Sequence, residues 1–276
     1  MAQSLVNESK CTGCGYCVAE CPIGILSMND NSIPELVPDG EEFCVSCGHC
    51  LAVCPQGAFS INGIQPADCA EVHCDSALSS EQVDNLIRSR RSIRVYKDER
   101  VPRDTFEKLI DTVRYAPTAS NSQLVQWLII DSSDEIRHLA GMTIDYLREL
   151  LSTTDNAKKA YRYLTLVKDW ENGIDRIFRG APALVVAHAP SAYNVATVDC
   201  SIALSFLDLA APSLGLGTCW AGFFMHAIAQ SQALQKRIAI PQGNSCFGAM
   251  MVGFPKYAYH RIPQRKEAVI TWNGNL

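Results

Sequence analysis

Two short cysteine runs have the spacing of a metal-binding site. Residues 11–22 read CTGCGYCVAECP and residues 44–55 read CVSCGHCLAVCP, so each run has the form C-x2-C-x2-C-x3-C-P. Two-residue gaps let successive thiolates converge, and a fourth cysteine followed by proline is typical of [4Fe–4S] ligation. A zinc site is the alternative, but zinc motifs usually pair two C-x2-C knuckles and have no use for a third cysteine plus Cys-Pro. The spacing therefore predicts iron–sulfur clusters.

Residues 1–66 resemble a bacterial two-cluster ferredoxin. Similar tails, GILSMN and GAFSIN, follow the two Cys-Pro pairs and indicate an internal repeat. In such ferredoxins the fourth cysteine of each run ligates the other cluster. The resemblance implies that one [4Fe–4S] cluster has the ligands Cys11, Cys14, Cys17 and Cys54. It implies that the other has the ligands Cys44, Cys47, Cys50 and Cys21.

Charge is unevenly distributed along the chain. Residues 1–66 carry one lysine and seven acidic residues, a net charge of −6, whereas the remainder carries 23 basic and 22 acidic residues. The overall charge of −5 argues against nucleic acid as a partner. An acidic first module and a near-neutral body predict two domains with different tasks.

Cysteine usage and hydropathy predict a soluble cytoplasmic protein. The sequence MAQSLVNESK lacks the basic and apolar regions of a secretion signal, so the thirteen cysteines are expected to bind metal more often than form disulfides. The apolar stretch near 181–230 is interrupted by charged residues, so no membrane association is predicted. Cys69 and Cys74 lie in a predicted linker, 67–79, and are interpreted as linker thiols.

Helices interleaved with short apolar strands are predicted after residue 80. Capping boxes at Ser79 and Ser132 predict helix starts, and an apolar stripe predicts a helix over 105–115. Strands are predicted at WLIID (127–131), ALVVAHA (183–189) and GAMMVGF (248–254). The almost wholly apolar segment 200–214 suits a helix at the centre of a domain or at a subunit interface. Such alternation predicts an α+β or α/β body.

The segment SRRSIRVY (89–96) concentrates three guanidinium groups and a hydroxyl. Arg90, Arg91 and Arg94, with Ser92, suit a phosphate, because arginine makes bidentate, charge-assisted hydrogen bonds. The alternative is a solvated helix end whose basic residues complement the helix dipole. The segment alone does not choose between the two interpretations.

Four segments, in order, resemble the nitroreductase family of flavoproteins. They are SRRSIRVY (89–96), APTASNSQ (116–123), LGLGTCWAGFF (214–224) and VGFPKYAYHRIPQRK (252–266). The resemblance covers about residues 80–276 and implies a homodimer that binds FMN at the subunit interface. It also implies a mixed four- or five-stranded sheet flanked by helices. The expected fold class is therefore α+β, with a ferredoxin-like two-cluster domain (1–66) ahead of a nitroreductase-like domain (80–276).

The same resemblance implies FMN contacts residue by residue. The flavin phosphate and ribityl chain are expected at Arg90, Arg91, Ser92 and Arg94. A segment of the partner subunit is expected to approach the flavin through Pro117, Thr118, Ala119, Asn121 and Gln123. The turn along the flavin ring is expected at Cys219, Trp220, Ala221 and Gly222, with the last two N–H groups directed at N5. Arg261 and Arg265 are both candidates for a further phosphate contact. No catalytic side chain is predicted, because the flavin supplies the redox chemistry.

The expected function is that of an FMN-dependent oxidoreductase with a built-in ferredoxin. Electrons would come through its own two [4Fe–4S] clusters from an external low-potential donor, such as a ferredoxin or an oxidoreductase. They would reduce a small-molecule acceptor, such as a nitro or other unsaturated compound. Leu124 and Val125 stand where the family has Pro-Trp, and no nicotinamide-recognising element is evident, so direct reduction by NAD(P)H stays open. The alternatives are an electron-transfer module serving a protein partner, and a same-fold reductive dehalogenase or enoate-type reductase.

Overall fold

The chain folds into two compact units. The structure, a computed structural model, describes residues 4–274. The first unit comprises Met1–Ala77 together with Thr118–Gln123, and the second comprises Leu78–Pro117 and Leu124–Leu276. A six-residue segment from the middle of the chain therefore belongs to the cysteine-rich unit.

The first unit is built from two similar halves. Its strands are β1 (Ser4–Val6), β2 (Leu26–Met28), β3 (Pro34–Leu36) and β4 (Phe59–Ile61). Strand β1 pairs with β4 and β2 pairs with β3, both antiparallel. Each cysteine run contains one helical turn, α1 (Tyr16–Ala19) or α2 (His49–Ala52). Gly15 and Gly48 precede these turns with φ of 73° and 74°, a left-handed conformation that favours glycine. The repeat in sequence is thus a repeat in backbone structure.

The second unit combines seven α-helices and four strands among the described residues. The helices are α3 (Ser80–Ser89), α4 (Arg103–Val113), α5 (Ser133–Leu151), α6 (Ala157–Glu171), α7 (Ala196–Ala210), α8 (Gly222–Ile228) and α9 (Gln232–Arg237). The strands are β5 (Gln126–Ile130), β6 (Ala183–Pro190), β7 (Gly217–Trp220) and β8 (Asn244–Gly253). Short 3-10 helices occur at Gly40–Phe43, Pro66–Asp68, Cys74–Ser76, Ala119–Asn121 and Ala211–Leu214.

The four strands form one sheet in the order β5-β6-β8-β7. The α+β fold with helices flanking a sheet is confirmed, but every pairing among these strands is antiparallel rather than mixed. The three neighbouring pairs of strands are all antiparallel. A mixed sheet, as the family resemblance implies, would need a further strand parallel to one of these four. Strand β5 lies at one edge, with its outer side unpaired by the other three strands.

Strand β6 is buried on both faces, which explains its continuous apolar sequence. Leu184 and Val186 point into a core formed with α5 and α8. Ala183, Val185 and Ala187 point into a second core formed with α4 and α7. Alternate side chains of a strand point to opposite faces, so a strand covered on both sides needs apolar residues throughout.

Local signals in the sequence set the main helix starts correctly. The Ser79 hydroxyl accepts a hydrogen bond from the Gln82 N–H at 3.2 Å, and the Gln82 side chain accepts one from the Ser79 N–H at 2.8 Å. Ser132 caps α5 by accepting from the Glu135 N–H at 3.3 Å, but the Glu135 carboxylate pairs with Arg237 and does not return the bond. Both predicted helix starts are therefore confirmed, and the reciprocal capping box is confirmed at Ser79 only.

Helix α7 and the turn after it are the most apolar part of the chain. Residues Ala196–Leu214 have the length and mean hydropathy, 1.3, of a helix able to cross a membrane, on composition alone. One face of this helix, which includes Cys200, Leu204 and Leu207, is fully buried in the second core. The prediction of a helix at the centre of the domain is therefore confirmed for that face.

Gly248 allows the close contact between strand β8 and helix α7. A Cβ at position 248 would lie 2.2 Å from the Leu204 Cδ1 atom, which no packed core tolerates without movement. We expect Gly248→Ala to lower the free energy of unfolding by about 1–3 kcal/mol through overpacking, measured by urea denaturation.

Gly141→Ala is the matched control for this prediction. A Cβ at position 141 would meet its nearest neighbour, the Trp170 ring, at an ordinary 3.5 Å, and residue 141 lies within α5. Alanine there should stabilise the helix by up to about 1 kcal/mol. Equal effects of the two substitutions would contradict the packing described for Gly248.

Candidate functional site

The eight cysteines of the two runs surround two separate cavities in the first unit. One cavity is lined by Cys21, Cys44, Cys47 and Cys50. The other is lined by Cys11, Cys14, Cys17 and Cys54. In each, three thiols come from one run and the fourth comes from the other run. This is the grouping that the ferredoxin resemblance implies.

The number and type of ligands in each cavity fit a [4Fe–4S] cluster. All eight are free thiols. Within residues 4–274, no three His, Cys, Asp or Glu side chains converge on a point that could hold one metal ion. A zinc site needs its sulfurs about 2.3 Å from a single point, whereas a [4Fe–4S] cluster is held by thiolates spread around a larger body. The four cysteines that line each cavity match the four thiolate ligands of a [4Fe–4S] cluster.

Burial of the thiols opposes their charge unless metal is bound. Burial raises the pKa of Cys50 to about 11, and the neighbouring Cys47 and Cys44 add to that rise. Burial likewise raises the pKa of Cys17. Thiolates are the ligand form, so iron would supply the positive charge that stabilises them here.

The arginines of segment 89–96 do not all point to one place. The Arg90 guanidinium lies 3.3 Å from the Asp208 carboxylate, which also accepts a short hydrogen bond from the Thr218 hydroxyl. The Arg91 guanidinium donates to the carbonyls of Arg88 and Arg90 at 2.8 and 2.6 Å. Arg91 thus closes the end of α3, as the helix-cap alternative described.

Segment 89–96 is held against strand β7. The Ile93 N–H donates to the Thr218 carbonyl at 2.8 Å. Gly217 makes this approach possible, because a Cβ there would lie 2.3 Å from the Ile93 Cγ1 atom. The first and third segments of the family resemblance are therefore brought side by side.

A polar group forms where these two segments meet. Burial raises the pKa of the Cys219 thiol, while nearby Arg94 and Arg179 and a hydrogen bond with Ser92 act in the opposite direction. Burial and the neighbouring Arg94 lower the pKa of Arg179. Two neighbouring guanidiniums and the Ser92 hydroxyl, all close to Cys219, have the chemistry that binds a phosphate.

Arg179 is a candidate that the sequence reasoning missed. It lies in the loop before β6, with a φ of 59° that is uncommon outside glycine. The Asp175 carboxylate fixes this loop by accepting from the N–H groups of Ile177, Phe178 and Gly180 at 2.8, 3.0 and 3.2 Å. The only available signal was Arg-Gly just before a predicted strand, which marks a turn but no ligand.

The turn after β7 presents Gly222 to open space. The Ala221 N–H donates to the Ala249 carbonyl at 3.0 Å, so only the Gly222 N–H of the predicted pair is available to a flavin. Gly222 is the first residue of α8, where N–H groups have no partner within the helix. A Cβ at position 222 would meet nothing within 4 Å. Trp220 is exposed beside it, and Cys219 is buried.

Segment 118–123 belongs to the first compact unit, and its expected contact with the flavin of a partner subunit stays a prediction. The Thr118 hydroxyl accepts from the Gln123 N–H at 3.0 Å, which closes the segment into a turn. Asn121 donates from its side-chain amide to carbonyls of the second cysteine run. Pro117 belongs to the second unit, and Ala119 opens the short 3-10 helix.

The remaining predicted residues lie in exposed segments. Arg261 and Arg265 are both exposed in residues 255–274, which contain neither helix nor strand, and the structure gives no ground to prefer one. Cys69 is exposed and donates weakly to the Gln65 carbonyl at 3.7 Å. The side chain of Cys74 lies outside the described residues.

The first unit is thus a small domain with two cysteine-lined cavities, and the second is an α+β domain in which Arg94 and Arg179 lie near Cys219. The model of the nitroreductase family matches residues 87–254, which is more than half of the chain, and that of the 4Fe-4S dicluster domain matches residues 10–58. The chain belongs to the nitroreductase family and carries an N-terminal 4Fe-4S dicluster domain. The predicted family, enzyme class and cofactors, FMN and [4Fe–4S] clusters, are confirmed at this level.

Individual relatives agree on the fold but differ in activity. The chain is 26% identical over 188 residues, 67% of its length and 83% of the relative's, to a Methanothermobacter thermautotrophicus protein provisionally named an NADH dehydrogenase/NAD(P)H nitroreductase. A Bacteroides fragilis nitroreductase with bound FMN superposes with a TM-score of 0.55 at 20% identity, covering 70% of this chain and 99% of that one. An iodotyrosine deiodinase with bound FMN and 3-iodo-L-tyrosine gives the same TM-score at 17% identity and the same coverage. The fold therefore does not select the acceptor.

Gly222→Ala separates flavin binding from folding. The added methyl group meets no protein atom within 4 Å, so the free energy of unfolding of the apoprotein should change by no more than about 0.5 kcal/mol. The methyl group would occupy the space beside the one available N–H, so FMN affinity should fall about tenfold or more, about 1.4 kcal/mol.

Titration of the apoprotein with FMN, followed by flavin fluorescence, measures this effect. Gly141→Ala is the control, since it makes the same change in α5, away from the turn. An equal FMN affinity in the two variants would contradict the placement of the flavin beside Gly222.

Proposed function

We propose that the chain is an FMN-dependent oxidoreductase that receives electrons through its own two [4Fe–4S] clusters and reduces a small-molecule acceptor. The observation that carries the proposal is the pair of four-cysteine cavities on the same chain as a nitroreductase-family domain. When bound, the clusters carry single electrons and FMN accepts one or two, so FMN can convert one-electron input into two-electron reduction. Cys11, Cys14, Cys17 and Cys54 would hold one cluster, and Cys44, Cys47, Cys50 and Cys21 the other.

The chain's own residues would bind and orient the flavin. Arg94 and Arg179, with Ser92, would neutralise the phosphate, while the Arg90–Asp208 ion pair holds segment 89–96 in place. The Gly222 N–H would donate a hydrogen bond to the ring, which is one way in which a protein tunes flavin electronics. Either Arg261 or Arg265 would add a further phosphate contact.

An external low-potential donor fits the charge of the first domain. Residues 1–66 carry a net charge of −6, which favours docking on a basic surface of a ferredoxin-reducing or similar oxidoreductase. The activity named for the M. thermautotrophicus relative makes NAD(P)H the second donor to test. A cytoplasmic location agrees with the reducing conditions that exposed cluster ligands need.

A homodimer agrees with the surface of helix α7. Val198, Ile202, Phe206 and Leu209 form an apolar stripe along one face of this helix, opposite its buried face. Val198 is 56% exposed and Phe206 is 43% exposed. A second copy of the chain would cover this stripe and complete the flavin site, as the family resemblance implies.

Phe206→Glu tests the dimer. A charge in the middle of the stripe should weaken self-association about tenfold or more, measured as a shift toward monomer in sedimentation at micromolar concentration. Leu164→Glu on α6 is the matched control, because Leu164 is 42% exposed and lies off the stripe. A monomeric wild-type protein, or equal dissociation of both variants, would overturn the dimer.

Cofactor content and electron input test the function as a whole. Anaerobic purification should yield about eight irons and one FMN per chain. Cys47→Ser should keep FMN bound but slow flavin reduction by reduced ferredoxin at least about tenfold, measured by stopped-flow absorbance, since one ligand of its cluster is lost.

Cys69→Ser is the control for this experiment. Cys69 is an exposed thiol outside both cavities, so its loss should leave iron content and flavin reduction unchanged. Zinc in place of iron in the wild-type protein, or a wild-type rate of flavin reduction in Cys47→Ser, would contradict the proposal.

A further inference from the structure

The side chain of Asn121 is bound to the backbone between two predicted cluster ligands. Its Nδ2 atom donates to the Val45 carbonyl at 3.2 Å and to the Ser46 carbonyl at 3.0 Å. Val45 and Ser46 lie between Cys44 and Cys47, which line the same cavity. All of these residues belong to the first compact unit.

Segment 118–123 has a strained conformation that presents this amide. Ser120, Asn121 and Gln123 have positive φ angles of 49°, 52° and 50°. Such angles are uncommon outside glycine, although asparagine tolerates them better than serine or glutamine, and they persist where surrounding contacts fix them. The Asn121 N–H donates to the Thr118 carbonyl at 3.1 Å, so the turn is closed by its own backbone.

The loop 44–47 is held from two directions. Ser46 itself has a φ of 52°, and its hydroxyl accepts a short hydrogen bond from the Asn62 side chain. Asn121 donates to the backbone carbonyl of the same residue, Ser46. The two asparagines thus fix one strained loop, Asn62 from the end of β4 and Asn121 from the middle of the chain.

An asparagine side chain is suited to a bridging role. Its NH2 group has two hydrogens, one for each of the two carbonyls, and its carbonyl oxygen is not used in either bond. That oxygen is an acceptor and could serve the flavin contact expected at Asn121. An aspartate could not donate either bond.

We infer that Asn121 is a positioning residue that anchors segment 118–123 to the ligand loop of the cluster held by Cys44, Cys47, Cys50 and Cys21. The anchor fixes the conformation of this ligand loop and thereby supports electron transfer by its cluster, a role that rests on the proposed function. Pro117 and Leu124, which flank the segment, belong to the second unit, so the chain itself connects the anchor to the flavin domain.

The size of the effect follows from the two hydrogen bonds. Both come from one amide, so a single substitution removes them together and should shift the balance between anchored and released segment about tenfold or more. The cluster ligands and the described flavin-phosphate residues are untouched by this change.

Hydrogen exchange of the holoprotein tests the anchor directly. Asn121→Ala should speed amide exchange in residues 44–47 about tenfold, because the loop loses one of its two supports. Asn62→Ala is the matched control, because it removes the other asparagine hydrogen bond to this loop, the one to the Ser46 hydroxyl, and leaves the bonds from Asn121 in place. Exchange in 118–123 should rise only in Asn121→Ala. Unchanged exchange of 44–47 in Asn121→Ala would overturn the anchor.

The rate of electron transfer within the chain tests whether the Asn121 anchor acts as a positioning element. With iron and FMN content matched to wild type, flavin reduction by reduced ferredoxin should be about tenfold slower in Asn121→Ala, and Asn121→Asp should behave likewise. Asn62→Ala should slow it less. If hydrogen exchange shows that the anchor is lost in Asn121→Ala while the rate of flavin reduction is unchanged, the positioning role is wrong. If ferredoxin reduces no flavin in the wild-type chain, the proposed function fails, and the exchange measurement still decides the anchor.

Discussion

The grouping of eight thiols around two cavities is the feature on which the first unit depends, because its apolar core is small. Among the described residues, its buried apolar cluster consists of Cys17, Leu26, Cys50, Leu51, Phe59 and Ile61, of which two are predicted ligands. Its four strands are three residues long each. Domains of this size usually need metals or disulfides in addition to a core. The exchange of Cys21 and Cys54 between the two cavities ties both halves together. We therefore expect cluster binding and folding to be coupled in this unit.

The second unit depends on a different constraint, the close approach of segment 89–96 to strand β7. The Ile93–Thr218 hydrogen bond and the absent side chain of Gly217 bring together residues far apart in sequence. The two-sided core around β6 makes that strand rigid, so the turn at Gly222 is presented from a fixed sheet. On such a scaffold the flavin supplies the redox chemistry, and the protein needs mainly to bind and orient it.

Sequence reasoning succeeded where the signal was local or repeated. The Ser79 and Ser132 caps depend on residues three positions apart, and the doubled cysteine spacing identified the dicluster domain. Strand β6 was evident because both its faces are buried. Strand β7 was missed, since four residues beginning with glycine resemble a turn.

The sequence did not reveal contacts that tertiary structure alone creates. Arg179 gains its position from a loop fixed by Asp175, and no pattern marks an arginine for such a role. Asn121 was assigned to the flavin through family resemblance, while its amide is bound to the cluster loop. The flavin assignments and the cluster ligands remain predictions that the grouping of residues supports.

The order in which the cofactors are reduced tests the central claim most directly. The anaerobic holoprotein would be mixed with reduced ferredoxin and freeze-quenched at successive times, with the clusters followed by electron paramagnetic resonance and the flavin by absorbance. The account predicts that reduced clusters form first and that flavin reduction follows at the expense of the cluster signal. Flavin reduction that precedes cluster reduction, or that proceeds while the clusters stay oxidised, would contradict it.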